Sequence, residues 1–437
     1  MGEYLSPGVY TEGVKNANAP IEGVSASTGG FVGITPRGEI NKPILVTSWQ
    51  NFIDTFAYGM ESPFLAESDL AYSVYGFFQN GGTRCYVTRV VGSNAQKATS
   101  IKEGATLTAL EEGSWGNKIK VSHTVESGKS TIIVYYDNEK VEEFESLSAL
   151  RESKYVGVIG STFDIGEITL SGGSDDLEGI TDAIYTEALK NFDGADDVNL
   201  ICVPGQTSET VTKAILDYAE NRGNVFAIID APKSADIDAV KTFRGKLSCK
   251  NGALYYPWIK VSDPLNAGKL RDCPTCGHVM GVYARIIQSR GVWKAPAGTE
   301  ANVRGAIDTV SVIQRGQIDV LNPLNINVIV PKANYGIVVW GARTLNPDSS
   351  MKYVSDVLLN THIKESVNRG TEWAVFEPNN SDLWSRVKTS ISSFLYDLWA
   401  NGGLYGDEAS QAYFVKCDEE LNPESVRDAG KLICEVG

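Results

Sequence analysis

Apolar and polar positions change period several times along this chain, and each change predicts a different element. The segments GGFVGI (29–34) and PILVTSW (43–49) read as buried strands, with a helical stretch from Trp49. In ESDLAYSVYGFFQNGG (67–82), Leu70, Val74, Phe77 and Phe78 fall on one helical face, and Asn80-Gly81-Gly82 ends the helix. CYVTRVV (85–91) follows as another buried strand. Between 93 and 175 the period drops to two. KIKVSHT and STIIVYYDN alternate around an ESGK hairpin turn, GEITLSGGSDD supplies a third strand, and the acidic DNEKVEEFES reads as a solvated edge.

After Asp176 the pattern is strand–helix–strand. VNLICVPG is apolar almost throughout, as a strand covered on both faces would be. TVTKAILDYAENRG sets Val211, Ala214, Ile215 and Tyr218 on one helical face closed by Gly223. The strand NVFAIIDAP, a helix over roughly 235–247 and the strand ALYYPWIKV continue the series. Such alternation predicts parallel strands with right-handed crossovers. A last domain is expected from Gly336, with the strand YGIVVWGART, a helix around 351–369 and the strand QAYFVKCD. Residues 1–20 hold one short strand in GVYTEGV and too little apolar content to bury themselves, so this arm must lie on something else.

EWAVFEPNNSDLW (372–384) mixes acids with aromatics and raises the question of a catalytic cleft. Its pattern predicts otherwise. EWAVFE alternates as a strand, with Trp373, Val375 and Glu377 on one side and Ala374 and Phe376 on the other, and Pro378 ends the ladder. Asn380 or Ser381 then caps a helix, with Asp382 at the positive end of its dipole. Leu383, Trp384, Val387, Ile391, Phe394, Leu395, Leu398 and Trp399 form its apolar stripe as far as Asn401-Gly402-Gly403. Burying that stripe contributes on the order of 10–20 kcal/mol before conformational entropy is subtracted.

Composition narrows the function more than the fold. With 437 residues, 42% hydrophobic and 21% charged, the chain reads as an ordinary globular protein of about two to four domains. A formal charge of −15 with no Lys/Arg run excludes a phosphate backbone as partner. The start lacks a basic n-region and an apolar h-region, and no apolar run approaches the roughly 20 residues needed to span a bilayer. No membrane association is expected. Seven scattered cysteines do not make a disulfide framework, which suits a reducing cytoplasm.

The candidate chemistry is thin. CPTCGH, Cys273 to His278, offers a Cys-x-x-Cys pair, but zinc needs four ligands and Cys249 and His362 stand alone. A redox pair sits at a helix start after a strand, whereas this pair is expected in a loop before a helix beginning near Val279. Gly128-Lys129-Ser130 resembles the end of a phosphate loop, yet position 123 is His123 rather than glycine and the stretch joins two strands. His123, His278 and His362 have no Gly-x-Ser-x-Gly elbow to serve. No enzymatic activity, metal or cofactor is expected.

Several stretches, in order along the whole chain, are similar to contractile phage and prophage tail sheath proteins. YLSPGVYTEGV (4–14) resembles the arm of that family, and GSWGNKIKV (113–121), LSGGSDD (170–176) and NLICVPG (199–205) fall at the expected places. GHVMGVYARIIQSRGVWKAPAG (277–298) resembles its central signature. The densest likeness is GIVVWGARTL (336–345), GTEWAVFEPNNSDLWSRV (370–387) and AYFVKCDEELN (412–422), with Trp340, Arg343, Trp373, Phe376, Pro378, Asn379 and Trp384 as signature residues.

The resemblance implies an α/β plus β multidomain fold. It comprises a discontinuous α/β sheath domain (21–92 and 176–335), an inserted β-rich domain (93–175), and an α+β C-terminal assembly domain (336–437) that packs with the N-terminal arm (1–20). The α/β domain would be subtilisin-like in architecture and non-catalytic, since no Gly-Thr-Ser motif or matching His-Gly pair is present. It also implies a structural subunit that polymerises around a tail tube and contracts to drive it through a bacterial envelope. Partners would be further copies in stacked hexameric rings, the tube protein, and baseplate and tail-terminator proteins. The subunit would reside in a virion tail or tail-like particle assembled in the host cytoplasm. Strand exchange would involve Val9, Tyr10, Thr11 and Glu12 of the arm and Leu432 and Ile433 near the other end. Relatives continue past KLICEVG with a further exchanged strand, so the chain as given is expected to be monomeric or weakly associated. The alternatives are another self-assembling protein, of surface-layer or capsid type, or a metal- or thiol-dependent enzyme centred on Cys273 and Cys276.

Overall fold

A computed structural model describes residues 20–437 apart from positions 103, 161, 163 and 349. Two compact units emerge: Ser25–Leu359, and residues 20–24 together with Asn360–Gly437.

The first unit is built on an eight-stranded sheet. Its order is Gly336–Val339, Ile326–Lys332, Gly252–Tyr256, Phe226–Asp230, Leu200–Cys202, Gly29–Gly33, Cys85–Arg89 and Ile44–Val46. The six inner strands run parallel and both edge strands antiparallel. Chain order reverses between Gly29–Gly33 and Leu200–Cys202. Strand alternation splits the core in two. Phe31, Leu200, Cys202, Phe226 and Ile228 face the helices Trp49–Phe56, Leu70–Gln79 and Cys276–Arg290, whereas Val32, Ile201, Ala227 and Ile229 face Asp182–Lys190, Glu209–Arg222 and Ile237–Gly245. A sheet covered on both faces needs apolar residues at nearly every position, as VNLICVPG has.

Local signals are met where caps are concerned. Glu209–Arg222 ends on Gly223 at φ +76 as expected, while its start is capped by Ser208, which was not singled out from sequence. The ESGK turn lies between the paired strands Ile119–Glu126 and Lys129–Tyr136, with Ser127 and Gly128 both at positive φ. Those strands, flanked by Gly166–Thr169 and the edge strand Glu139–Phe144, make a four-stranded antiparallel sheet. It shares a core with a three-stranded sheet of Thr99–Lys102, Ala105–Ala109 and Val156–Gly160.

Four expectations are corrected. ALYYPWIKV is two strands, not one: Pro257 interrupts it, and Ile259–Ser262 joins a separate sheet with Leu270–Cys273 and Ala306–Thr309. The strand expected to open the last domain, Gly336–Val339, instead pairs antiparallel with Ile326–Lys332 as an edge of the large sheet. Helix Leu70–Gln79 is buried almost all round rather than on one face, because Cys276–Arg290 packs against it at glycine contacts: a Cβ on Gly277 or Gly281 would collide with Ser73 or Phe77. Finally, that second helix starts at Cys276, not near Val279.

Candidate assembly interface

The second unit rests on the helix Ser381–Ala400. Asn380 caps it, its side chain accepting from the Leu383 amide at 3.0 Å, and Asp382 lies in the first turn. Leu383, Val387, Ile391, Phe394 and Leu395 are buried as the stripe requires, and Ile21 and Val415 complete that core.

EWAVFE is not a strand. Glu372–Ala374 form a 3-10 turn closed by Ala374 N–H to Thr371 C=O (2.9 Å) and Val375 N–H to Glu372 C=O (3.1 Å). Six alternating residues fit such a turn as well as a strand, and local i→i+3 bonds take up the amides here. Phe376 follows at φ +72 with its side chain fully exposed (102%), a strained backbone for a bulky residue and an unburied ring. Trp373 lies under the Arg386 guanidinium, 4.5 Å from ring centroid to Cζ, and Arg386 also reaches Glu377 at 3.5 Å.

Asn379 and Trp384 act together. The Trp384 indole donates to Asn379 Oδ1 at 2.7 Å, which orients the amide so that Nδ2 donates to the Lys431 carbonyl at 2.8 Å. Buried Asn422 makes a second clamp: its Nδ2 donates to the Ile433 carbonyl (2.9 Å) and its Oδ1 accepts from the Ile433 amide (2.7 Å). Beyond the clamps, Val415–Lys416 and Glu435–Val436 pair antiparallel, and Phe414 and Gly437 exchange both backbone hydrogen bonds. Among the described residues this ribbon has two strands only, and Glu435–Val436 is exposed. Alongside runs a groove of about 650 Å³ lined by Val375, Phe376, Val387, Ile391, Leu432 and Val436, among others. An unpaired strand edge beside an apolar groove is what an extended segment needs for docking by β-augmentation.

Of the residues singled out from sequence, Trp373, Phe376, Pro378, Asn379, Trp384, Leu432 and Ile433 fall in this unit. Trp340 and Arg343 fall in the other. Trp340 follows the edge strand with Lys332 Nζ 4.0 Å from its ring centroid, and Arg343 is held by Asn327, whose side chain bonds its amide and carbonyl. Val9, Tyr10, Thr11 and Glu12 lie outside the described residues. Asn422 was missed, although it ends the quoted AYFVKCDEELN; an asparagine bonding both main-chain groups of one distant residue leaves no periodic trace.

CPTCGH is placed as a redox pair would be, with Cys273 ending a strand and Cys276 opening a helix. Its surroundings work against that chemistry. Both thiols are fully buried, which pushes them well above the ordinary range, and burial lowers His278 to about 4. The helix end is occupied by buried Asp230, whose Oδ1 accepts from the Thr275 and Cys276 amides at 2.8 Å each. Its own carboxyl is raised by burial.

Residues 178–345 match the family model described as phage tail sheath protein central domain, and residues 346–437 match the adjoining phage tail sheath C-terminal domain. The chain belongs to the phage tail sheath protein family. This sheath chain is 24% identical over 241 residues to a prophage major tail sheath protein of Pseudomonas aeruginosa, covering 54% of the chain and 60% of that relative. It is 24% identical over 298 residues to the tail sheath protein of Salmonella phage ViI, covering 65% and 45% respectively. The match therefore spans about half the length of the curated relatives. In fold, the sheath chain is similar to the sheath complex of an extracellular contractile injection system (PVC) in its contracted state, at TM-score 0.67, 23% identity and coverage of 100% and 94%. The crystal structure of a sheath tail protein from Desulfitobacterium hafniense gives TM-score 0.68 at 14% identity, with 94% of each chain covered. The fold is thus a mixed α/β multidomain one of the sheath kind.

Proposed function

We propose that this chain is the structural subunit of a contractile sheath, one that stacks with further copies in hexameric rings around a tube and shortens to drive it through a bacterial envelope. The observation that carries the assembly mode is the open ribbon beside the apolar groove, in the unit matching the sheath C-terminal domain. An arm from a neighbouring copy, through Val9, Tyr10, Thr11 and Glu12, adds a strand to that ribbon, while Leu432 and Ile433 help to form its seat. Main-chain hydrogen bonds then fasten subunits that can still rotate.

The α/β domain, subtilisin-like in architecture and free of catalytic duty, serves as a frame, with 93–175 as an inserted module, and the C-terminal domain as the assembly element. The tube protein, baseplate and tail-terminator would be partners in a tail or tail-like particle assembled in a bacterial cytoplasm. Contraction needs only a modest gain per subunit, because many subunits switch together.

The test is negative-stain electron microscopy of concentrated protein, paired with binding of a labelled peptide of residues 4–14 to a chain lacking 1–19. Hollow striated cylinders are expected once a relative's exchanged strand is appended after Gly437, together with a peptide affinity at least about tenfold weaker when Tyr10 is replaced by proline, which removes a ladder donor. Dispersed particles even with that strand appended would count against a sheath. Equal binding of the proline peptide would leave the polymer standing and remove strand exchange.

A further inference from the structure

The ribbon that closes the second unit places two of the cysteines opposite one another. Val415 faces Val436 and Lys416 faces Glu435, so the next pair in register is Cys417 and Cys434. Phe414 and Gly437 exchange both backbone hydrogen bonds. Alternation along an antiparallel ladder therefore makes Cys417 and Cys434 a non-hydrogen-bonded pair, the kind in which side chains approach most closely. The Cα separation of such pairs, about 4.5 Å, lies within the range that disulfides span. The two thiols are free and close enough to perturb one another. Cys417 is buried, whereas Cys434 is half-buried and lines the apolar groove, which gives a small reagent a way in.

We infer that Cys417 and Cys434 form a modification site, a dithiol that closes into a cross-strand disulfide when a small-molecule disulfide such as oxidised glutathione enters the groove. Cys434, as thiolate, attacks one sulfur of the reagent and expels one glutathione thiolate, leaving a mixed disulfide. Cys417, as thiolate, then attacks the Cys434 sulfur and expels the second. Two protein thiols are oxidised, one reagent disulfide is reduced to two thiols, and the two protons pass to the departing glutathione molecules. Burial raises both thiols, Cys417 to about 12 with neighbouring Cys434 and Asp418 adding to the rise, while the Lys388 ammonium opposes it, so the pair rests as the dithiol at neutral pH and closes faster in alkali. Closure ties residues 418–433 into a loop and fixes the ribbon next to the groove, whether or not the chain polymerises.

The experiment treats the native full chain with oxidised glutathione at about pH 8.5, near the ordinary thiol value, followed by alkylation and tryptic mapping without reduction. Cleavage after Lys416, Arg427 and Lys431 yields peptides 417–427 and 432–437. They are expected as one linked species that reduction separates, and Cys417→Ser is expected to leave Cys434 carrying glutathione. Amide exchange at Phe414 and Gly437 should slow on closure. Alkylation of both thiols with no linked peptide overturns the inference. So does a link that appears only in denaturant, alongside reaction of Cys85, Cys202, Cys249, Cys273 and Cys276, all buried in the native chain.

Discussion

Arg89 lies in a strand that reads as plain apolar sequence, yet it is fully buried and holds four parts of the chain together. Its guanidinium donates to the carbonyls of Thr35 (3.1 Å), Gly38 (3.0 Å) and Glu112 (2.8 Å) and pairs with Asp175 at 3.1 Å. Neighbouring Arg37 lies 3.9 Å from the Trp115 ring centroid and donates to the Tyr58 and Lys154 carbonyls. Arg89→Met strands those carbonyls and takes the countercharge from Asp175, which keeps its bonds from Ser114, so chemical denaturation should show a loss of about 3–5 kcal/mol. His278 acts through protons. Burial lowers it from 6.5 to about 4, so between those values only the unfolded chain binds the proton. Its contribution is complete above about pH 6.5 and falls as pH drops toward 4, by about 3 kcal/mol. Comparing melting at pH 7 and pH 4.5, the acid-induced drop should be smaller in His278→Gln than in the parent. Neither role was legible in sequence, because a buried arginine and a buried histidine look like their exposed counterparts in a periodic pattern.

At the scale of elements, the signals that survived were those with a local cause. Asn380 and Gly223 act within one turn, and their caps are where the pattern puts them. EWAVFE failed because alternation alone supplies no partner strand, and Cys273 and Cys276 were misplaced because the helix begins at its Asp230 cap rather than at its first apolar periodicity. The Cys417–Cys434 pairing is invisible to spacing, since only the register of two short strands creates it. The asparagine clamps are testable at this scale. Asn422→Ala removes both bonds to Ile433 and should cost about 1–3 kcal/mol locally. Amide exchange at Ile433 to Gly437 is expected to quicken while the helix Ser381–Ala400 stays protected. Unchanged protection would mean the ribbon holds without its clamp.

For the whole molecule, strand–helix alternation after Asp176 and the period-two stretch before it were enough to read an α/β sheet and, between 93 and 175, antiparallel strands outside it. Sheet order was not legible. The reversal beside Gly29–Gly33 depends on pairings between residues more than a hundred positions apart, and the placement of Gly336–Val339 depends on a hairpin with the preceding strand rather than on its own composition. The acidic balance argues against a phosphate backbone as partner but says nothing of fold.

The point where the β-rich segment leaves and rejoins the α/β sheet has a consequence for heredity. The Gly92 amide donates to the Asp175 carbonyl at 3.0 Å, and Gln96 and Ser174 exchange backbone bonds at 2.9 Å each. Departure and return are thus neighbours, as at the base of a loop. A lineage can lengthen or shorten the outer strands that hang from this junction, provided that Glu112 and Asp175 stay to meet Arg89.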